Sequence, residues 1–226
     1  EHAASGASGG KPEARKTNIA ALVDAVKRRG LDAEVLEYPT ANRVRMRLQQ
    51  AVRVSVIIPT DSPARAEKCA RDLPAVTDYP NAEFIIVTST ELIEKLRTAE
   101  PISRHVRFVA FDGPFNFSEK CNAGAHAASG ERLVFLNDDV EAGQRDWIEN
   151  LIEPLENQHV GATAPKLLYP TGRIQHAGLV TGVRGLVGTA LHQWPGNSVD
   201  YTNFAQSMRT VSALSAACLA VRRAEF

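Results

Sequence analysis

From Val52 onward, short apolar runs alternate with amphipathic segments along the chain. The runs are rich in β-branched residues and nearly continuous, which is typical of strands buried on both faces of a parallel sheet. The repeated pairs are VSVIIP with SPARAEKCARDL, EFIIVTS with TELIEKLRT, HVRFVAF with NFSEKCNAGAHAAS, and ERLVFL with RDWIENLIEPLE. This alternation predicts an α/β domain with a mostly parallel sheet and helices on both faces.

Local signals refine the boundaries of these elements. Ser62 followed by Pro63 predicts the start of a helix, because serine caps helix N-termini and proline suits the first helical position. Before the main domain, NIAALVDAVKRRG has helical spacing, and AEVLEYP and RVRMRLQ alternate weakly like short strands. We therefore divide the chain into a disordered tail (1–16), an N-terminal helix with short strands (17–51) and an incomplete main domain (52–226).

The pattern changes after about residue 159. Glycines and prolines become frequent and the hydrophobic residues alternate, which indicates short strands and loops. Gly182, Gly185 and Gly188 do not match the GxGxxG dinucleotide fingerprint and do not stand between a strand and a helix. We predict a mobile loop there, and a nicotinamide-dependent oxidoreductase is rejected because this fingerprint is missing.

Composition narrows the class of partner. Lys+Arg and Asp+Glu both number 26, so the chain lacks the basic footprint of a nucleic-acid-binding protein. Cys69, Cys121 and Cys218 are far apart and odd in number, which indicates neither a disulfide framework nor a zinc site; we expect reduced thiols and a cytoplasmic location. No apolar run is long enough to cross a bilayer, and the N-terminus does not resemble a signal peptide. The absence of an initiating Met and the ending LAVRRAEF lead us to expect a fragment of a longer protein.

Polar residues follow the predicted strands where ligands bind in such sheets, at the carboxyl ends. These strand-end residues are Pro59, Thr60, Asp61, Thr88, Ser89, Phe111, Asp112, Asn137, Asp138 and Asp139. The stretch LNDDVE (136–141) is the most notable, since two adjacent carboxylates follow a buried strand. Asn and Asp favour turns, so the stretch is either a simple turn or a cation site.

Several blocks of the chain, in order and spacing, resemble family 2 glycosyltransferases of the GT-A fold, and most of all the bacterial rhamnosyltransferase-like enzymes of O-antigen synthesis. The blocks are VSVIIPT, NFSEKCNAGAHAASGERLVFLNDDVE, VGATAPKLLYPTGRIQHAG and SAACLAVRRAEF. The resemblance covers roughly Val52 to Phe226. It implies transfer of a sugar from a nucleotide-diphosphate donor, UDP- or dTDP-linked, to an acceptor hydroxyl with inversion at the anomeric carbon.

The resemblance also implies a divalent cation, Mn²⁺ or Mg²⁺, at the LNDD block. Asp139 matches the family's usual metal ligand and is the catalytic residue we assign. Asn137 occupies a position where many relatives have Asp, and Asp138 is expected to position the donor. A hard cation bound through one or two carboxylates and the substrate phosphates fits this residue pattern.

Other positions match donor-binding parts of the family. Pro59, Thr60 and Asp61 follow the strand that cradles the nucleoside, and Thr88 stands where the family commonly has an Asp that pairs with a pyrimidine base. The helix residues Asn116, Lys120 and Asn122 and the loop residue His176 complete the donor-binding set. The alternative roles are a helix cap for Asn116, which Ser118 fits equally, a solvated lysine for Lys120, a packing asparagine for Asn122 and a structural histidine for His176.

An inverting transfer also needs a general base for the acceptor hydroxyl. In the family this carboxylate follows a stretch that would begin just after residue 226, so we name no base within the chain, and Glu225 is a poor substitute. We expect a glycan or lipid-linked glycan acceptor, with peripheral association at the cytoplasmic face of the inner membrane. The alternative is a non-catalytic nucleotide-sugar-binding or scaffold module of a larger assembly protein.

Overall fold

A computed structural model describes residues 12–48, 50–99, 103–183, 185–199 and 203–226. The chain forms two compact units, which we call the hairpin unit (1–47 and 165–215) and the sheet unit (48–164 and 216–226). Of the predicted tail, residues 1–11 lie outside the described residues. Residues 12–16 are helical rather than part of a tail, because Pro12 and Glu13 suit the first turn of a helix.

Strands and helices alternate as the hydrophobic pattern predicted. In chain order the helices are α1 (Pro12–Arg28), α2 (Pro63–Ala75), α3 (Thr90–Ala99), α4 (Phe117–Ala127) and α5 (Trp147–Ile152). The strands are β1 (Ala33–Glu37), β2 (Asn42–Met46), β3 (Val54–Pro59), β4 (Ala82–Thr88), β5 (Val106–Ala110), β6 (Arg132–Leu136), β7 (Ala162–Thr163), β8 (Leu167–Leu168), β9 (Ile174–His176), β10 (Leu179–Val183), β11 (Leu186–Thr189) and β12 (Cys218–Arg222).

The sheet unit is built on a six-stranded sheet with the order β5-β4-β3-β6-β12-β7. Strands β5, β4, β3 and β6 are parallel, whereas β12 runs antiparallel to both β6 and β7. The prediction of a mostly parallel α/β sheet is confirmed. The parallel arrangement brings the carboxyl ends of β3, β4, β5 and β6 to one edge of the sheet, which we call the rim.

The core lies on both sides of this sheet. Every residue of β3 and β4 is buried, and since successive side chains of a strand point to opposite faces, both faces are covered. On one face α4 packs through Cys121 and Ala125 against Ile57 and Val87. The predicted strands are therefore fixed from both sides, and so are the residues at their ends.

The hairpin unit consists of α1 and pairs of antiparallel strands, β1-β2, β8-β9 and β10-β11. The first of these pairs confirms the predicted short strands. The prediction of a mobile loop around Gly182, Gly185 and Gly188 is wrong, because these glycines lie in and between β10 and β11. Gly182 and Gly185 have φ values of 85° and 76°, which lets the chain form a bulge and reverse direction within the hairpin.

Candidate functional site

The LNDDVE stretch forms a turn at the rim. The Val140 N–H donates a hydrogen bond to the Asn137 carbonyl at 3.2 Å, and the Asn137 N–H donates to the carbonyl of Ala217, just before β12, at 2.9 Å. These bonds fix the backbone on both sides of Asp138 and Asp139. The turn interpretation and the cation-site interpretation are therefore compatible, because the turn is what presents the two carboxylates.

Asp138 is held inward by both of its carboxylate oxygens. Its side chain is 16% exposed, Oδ2 accepts a hydrogen bond from the Thr60 hydroxyl at 2.6 Å, and Oδ1 lies 2.8 Å from Arg65 Nη1. Thr60 itself is buried, its N–H donates to the Val87 carbonyl, and its hydroxyl accepts from the Ser62 N–H. The amide and hydroxyl of Thr60 are thus engaged within the protein, and the hydroxyl fixes Asp138.

Asp139, in contrast, faces outward. Its side chain is 58% exposed, and its Oδ2 lies 3.8 Å from Arg65 Nη1, at the long end of the range for an ion pair. A cavity of about 280 Å³ opens at this carboxylate. The cavity is lined by Pro59, Arg65, Phe115, Phe117, Asn137, Asp138 and Asp139.

The donor set can be compared with the needs of the implied cation. Among the described residues, no group of three or more His, Cys, Asp or Glu side chains could hold a metal ion by itself. Mg²⁺-type binding does not require such a group, because one or two carboxylates plus substrate phosphates are sufficient. The exposed carboxylate of Asp139 fits this mode of binding, while Asp138 is already committed to Thr60 and Arg65.

Sequence reasoning missed Arg65, which lies in the first turn of α2. Its N–H donates to the Ser62 hydroxyl, the N-cap, at 3.4 Å, and its side chain reaches the carboxylate turn. The hydrogen bond that the guanidinium donates to Asp138 raises the pKa of the guanidinium above its usual value. The position of Arg65 in a predicted first helical turn could have indicated this contact. A cation there is repelled by the helix dipole, so the position is stable only if an anionic partner lies close by.

Lys120 is completely buried in α4, so the alternative of a solvated lysine is wrong. Its ammonium group forms an ion pair with Asp61 and donates to the Thr60 carbonyl at 3.1 Å. The rings of Phe111 and Phe115 lie 5.6 Å and 5.3 Å from the ammonium nitrogen, within range of a cation–π interaction. Lys120 therefore ties the loop after β3 to α4 beneath the rim.

The remaining donor-binding candidates of the sheet unit have different surroundings. Thr88, at the end of β4, is fully buried, and its hydroxyl has no hydrogen-bond partner among the described residues. Asn116 is the N-cap of α4, with its side-chain oxygen accepting from the Glu119 N–H at 3.2 Å. Asn122 is exposed, so the alternative of a packing asparagine is wrong. Asn122 is thus accessible to a ligand, whereas the Thr88 side chain is not exposed to solvent.

A buried thiol lies beneath the carboxylate turn. Cys69, on α2, donates through its sulfur to the backbone carbonyl of Asp138 at 3.6 Å. Burial is the main reason that the pKa of this thiol rises to about 11. The turn is therefore supported from α2 by Cys69 and by Arg65.

His176 belongs to the hairpin unit and is buried there. Its Nε2 lies 3.3 Å from the backbone N–H groups of both Gly178 and Ser215, so this nitrogen acts as the acceptor. Burial lowers the pKa of the imidazole below its usual value. The structure accounts for His176 by these internal bonds, and its role in donor binding stays a prediction.

Comparison with known proteins decides the family. Residues 55–220 match the family described as Glycosyl transferase family 2. The chain belongs to glycosyl transferase family 2. Together with the mostly parallel six-stranded sheet, this membership confirms the GT-A fold class that the resemblance implied.

Two relatives extend the comparison. The chain is 34% identical over 223 residues to the O-antigen biosynthesis protein RfbC of Myxococcus xanthus, covering 96% of this chain and 17% of that protein. It is 30% identical over 224 residues to the uncharacterized protein y4gI of Sinorhizobium fredii, covering 96% of this chain and 25% of that protein. The chain therefore spans a quarter or less of the length of these relatives.

Solved structures of more distant proteins are also similar. A mannosyltransferase from Pyrobaculum calidifontis, in complex with GDP-Man and Mn²⁺, matches 66% of this chain and 43% of its own with 21% identity and a TM-score of 0.43. TarS from S. aureus, in complex with UDP-GlcNAc, matches 49% of this chain and 33% of its own with 18% identity and a TM-score of 0.36.

Two further features of the family 2 chain bear on the sequence-based expectations. Within the described residues, no helix combines the length and the apolar character needed to cross a bilayer. The Glu225 carboxylate accepts a hydrogen bond from Arg222 Nε at 2.8 Å in the 3₁₀ turn Arg223–Glu225. This carboxylate is engaged with a neighbouring cation, which agrees with leaving it unassigned as a base.

Proposed function

We propose that this chain is the donor-binding part of an inverting glycosyltransferase that moves a sugar from a nucleotide-diphosphate sugar to an acceptor hydroxyl in bacterial surface polysaccharide synthesis. The observation that carries the proposal is the pair of carboxylates at the rim. One of them, Asp138, is locked by Thr60 and Arg65, and the other, Asp139, faces a cavity. A ligand bound at this point of a parallel sheet lies where such folds bind nucleotides.

Each residue of the carboxylate turn would then have a separate role in binding the metal and the donor. Asp139 would hold Mn²⁺ or Mg²⁺, and the bound ion would supply positive charge to the departing diphosphate and orient the donor. Asp138 keeps the turn in one conformation, so that Asp139 needs little reorganisation when the donor binds. Asn137 contributes an amide instead of a third charge, which leaves Asp139 as the main protein ligand.

The nucleoside would lie beside Pro59 and Phe115. Both residues line the cavity, and the exposed ring of Phe115 offers an apolar surface of the kind on which a flat base can stack. Thr88 replaces a charged acceptor with a buried hydroxyl that has no hydrogen-bond partner among the described residues, which favours weak discrimination between bases. We retain UDP and dTDP as donor nucleotides, a glycan or lipid-linked glycan as acceptor, and the cytoplasmic face of the inner membrane as the location.

Calorimetric titration with UDP, dTDP and GDP, each with and without Mn²⁺, tests this proposal. We expect one nucleotide to bind in a metal-dependent manner, and we expect Asp139→Ala to weaken that binding by about tenfold to a hundredfold, the size expected when one interaction with a charged group is lost. The matched control is Glu131→Ala. Glu131 lies just before β6, at the opposite end of the same strand, and its replacement should leave the affinity unchanged.

Either of two results would contradict the proposal. Failure of every nucleotide to bind a folded chain in the presence of Mn²⁺ would remove the donor site. Equal nucleotide affinity in the wild-type chain and in Asp139→Ala would show that the carboxylate turn takes no part in binding.

Two observations favour a second candidate, a non-catalytic nucleotide-sugar-binding module. Asn137 lacks the charge of the corresponding residue in many relatives, and the Thr88 hydroxyl is sealed within the fold. Under this alternative the nucleotide binds but no sugar is transferred. Loss of transfer on Asp139→Ala in the full-length protein would argue against it.

A further inference from the structure

Arg65 occupies a helix position that local energetics disfavour. It is the third residue after the N-cap Ser62, in a first turn that contains no acidic residue. The N-terminus of a helix carries partial positive charge, so a cation there is destabilising unless a partner compensates it. A residue that breaks a local rule in this way marks a constraint imposed from elsewhere in the structure.

The partner is the pair of carboxylates. A single nitrogen, Arg65 Nη1, lies 2.8 Å from Asp138 Oδ1 and 3.8 Å from Asp139 Oδ2. The guanidinium therefore lies within ion-pair range of both carboxylates of the turn. Its side chain is 51% exposed and lines the same cavity as Asp139, so a ligand in that cavity can reach the guanidinium.

The two partners do not hold Arg65 equally. Asp138 is also fixed by Thr60, and its contact with the guanidinium is a hydrogen-bonded ion pair. The contact with Asp139 is longer, and that carboxylate is largely exposed. An anion with several oxygens, such as a diphosphate, offers the guanidinium better bidentate partners than the distant Asp139 does.

We propose that Arg65 is the cation of the carboxylate turn: in the free protein it competes with the divalent metal for Asp139, and when the donor binds it exchanges Asp139 for the donor diphosphate while it keeps its hydrogen bond to Asp138. Metal and donor then bind cooperatively, because the diphosphate removes the competitor of the metal. The positive end of α2 lies beside Arg65 and adds to the attraction for the diphosphate. This inference rests on the proposed function, since it assigns a role in binding the same donor.

Two separate affinities test the proposal, neither of which requires catalysis. The first is the affinity of the chain for Mn²⁺ alone, followed by the electron paramagnetic resonance signal of free Mn²⁺. The second is the affinity for UDP, dTDP and GDP in the presence of a chelator, followed by calorimetry. Both are measured for the wild-type chain, Arg65→Met and Arg65→Lys.

We expect Arg65→Met to change the two affinities in opposite directions. Binding of Mn²⁺ alone should tighten by about threefold to fivefold, the size expected for removal of a half-exposed ion pair, and metal-free binding of the nucleotide should weaken. Arg65→Lys keeps the charge but loses the planar fork, so its values should fall between those of the wild type and Arg65→Met. Arg71→Met is the matched control, because Arg71 lies on the same helix and pairs with Asp72 and Glu67.

The outcomes separate the inference from the proposed function. If the wild-type chain binds no nucleotide even with Mn²⁺, the proposed function fails and this inference fails with it. If the wild type binds nucleotide but Arg65→Met leaves the affinity for Mn²⁺ alone unchanged or weaker, the inference alone is overturned. A merely structural role for Arg65 predicts that both affinities decline together with thermal stability, which circular dichroism would detect.

Discussion

Strands β3 and β4 of the sheet unit and the β10-β11 hairpin of the hairpin unit are both rich in aliphatic residues, but they differ in how far these residues are buried. Strands β3 and β4 are mainly aliphatic and completely buried, whereas the aliphatic residues of the hairpin are largely exposed, Leu186 to 74%. The polar residues of the candidate site lie at the carboxyl ends of the buried strands, where the backbone is fixed from both faces of the sheet. The comparison shows that a precise site in this chain depends on the burial of the strands that carry it, and that strand formation alone is not sufficient.

The largest expected difference comes from replacing a large aliphatic residue by alanine in each of the two regions. Ile57→Ala removes a side chain of β3 that is fully buried between the sheet and α4, and it should lower the free energy of unfolding by about 2–5 kcal/mol. Leu186→Ala in the hairpin should change it by no more than about 0.5 kcal/mol. Chemical denaturation followed by circular dichroism measures both, and similar losses at the two positions would mean that the hairpin is covered in solution.

A buried carboxylate near the amino ends of the strands gives the next effect, which depends on pH. Burial by itself would raise the pKa of Glu83, but hydrogen bonds from Ser129 and Ser55 and the guanidinium of Arg107 outweigh it and lower the pKa to about 2. A lowered pKa stabilises the fold above the ordinary value of 4.5, and this contribution disappears as the pH falls towards 2.

The test compares the wild-type chain with Glu83→Gln across this acid range. The advantage of the wild type in free energy of unfolding should shrink by up to about 3 kcal/mol between pH 5 and pH 2, following the energy equivalent of a pKa shift. An advantage that stays constant with pH would show that Glu83 acts through packing instead of charge.

The smallest effect concerns the glycines of the two regions. A Cβ at Gly124, on α4, would lie 2.4 Å from Ile57 Cγ2 and 3.0 Å from Val87 Cγ2, so Gly124→Ala should cost about 1–3 kcal/mol through overpacking. Gly185 has open space around it and a φ of 76°, a conformation that asparagine also adopts, so Gly185→Asn should cost no more than about 0.5 kcal/mol. Thermal denaturation of the two variants provides the measurement, and a gain in stability from Gly124→Ala would contradict the close packing of α4.

The sequence was most informative where local rules and burial agree. The strands β3, β4, β5 and β6 were predicted because nearly continuous β-branched runs of this length are typical of buried parallel strands. Ser62 was predicted as a cap, and Asn116 as one of two candidate caps beside Ser118, because a capping side chain acts within its own helix turn. Antiparallel β12 was not predicted, since its pairing with β6 depends on a neighbour distant in sequence.

The site shows the same division. The location of Asp138 and Asp139 at a strand end followed from the pattern, but the different orientations of their carboxylates depend on Thr60 and Arg65, far away in sequence. The burial of Lys120 was missed because its partner Asp61 lies on another loop. Long-range ion pairs of this kind leave no periodic signal in the sequence.

The three cysteines of the sheet unit can also report how often the helices and the strand that carry them open. Cys69, Cys121 and Cys218 lie on α2, α4 and β12, and burial raises their pKa values to about 11, 11 and 12. Since the thiolate is the reactive form, we expect each sulfur not to react with a thiol reagent until the helix or strand that carries it opens. Because the Cys69 sulfur donates a hydrogen bond to the backbone carbonyl of Asp138, its labelling rate would measure how fast the carboxylate turn opens.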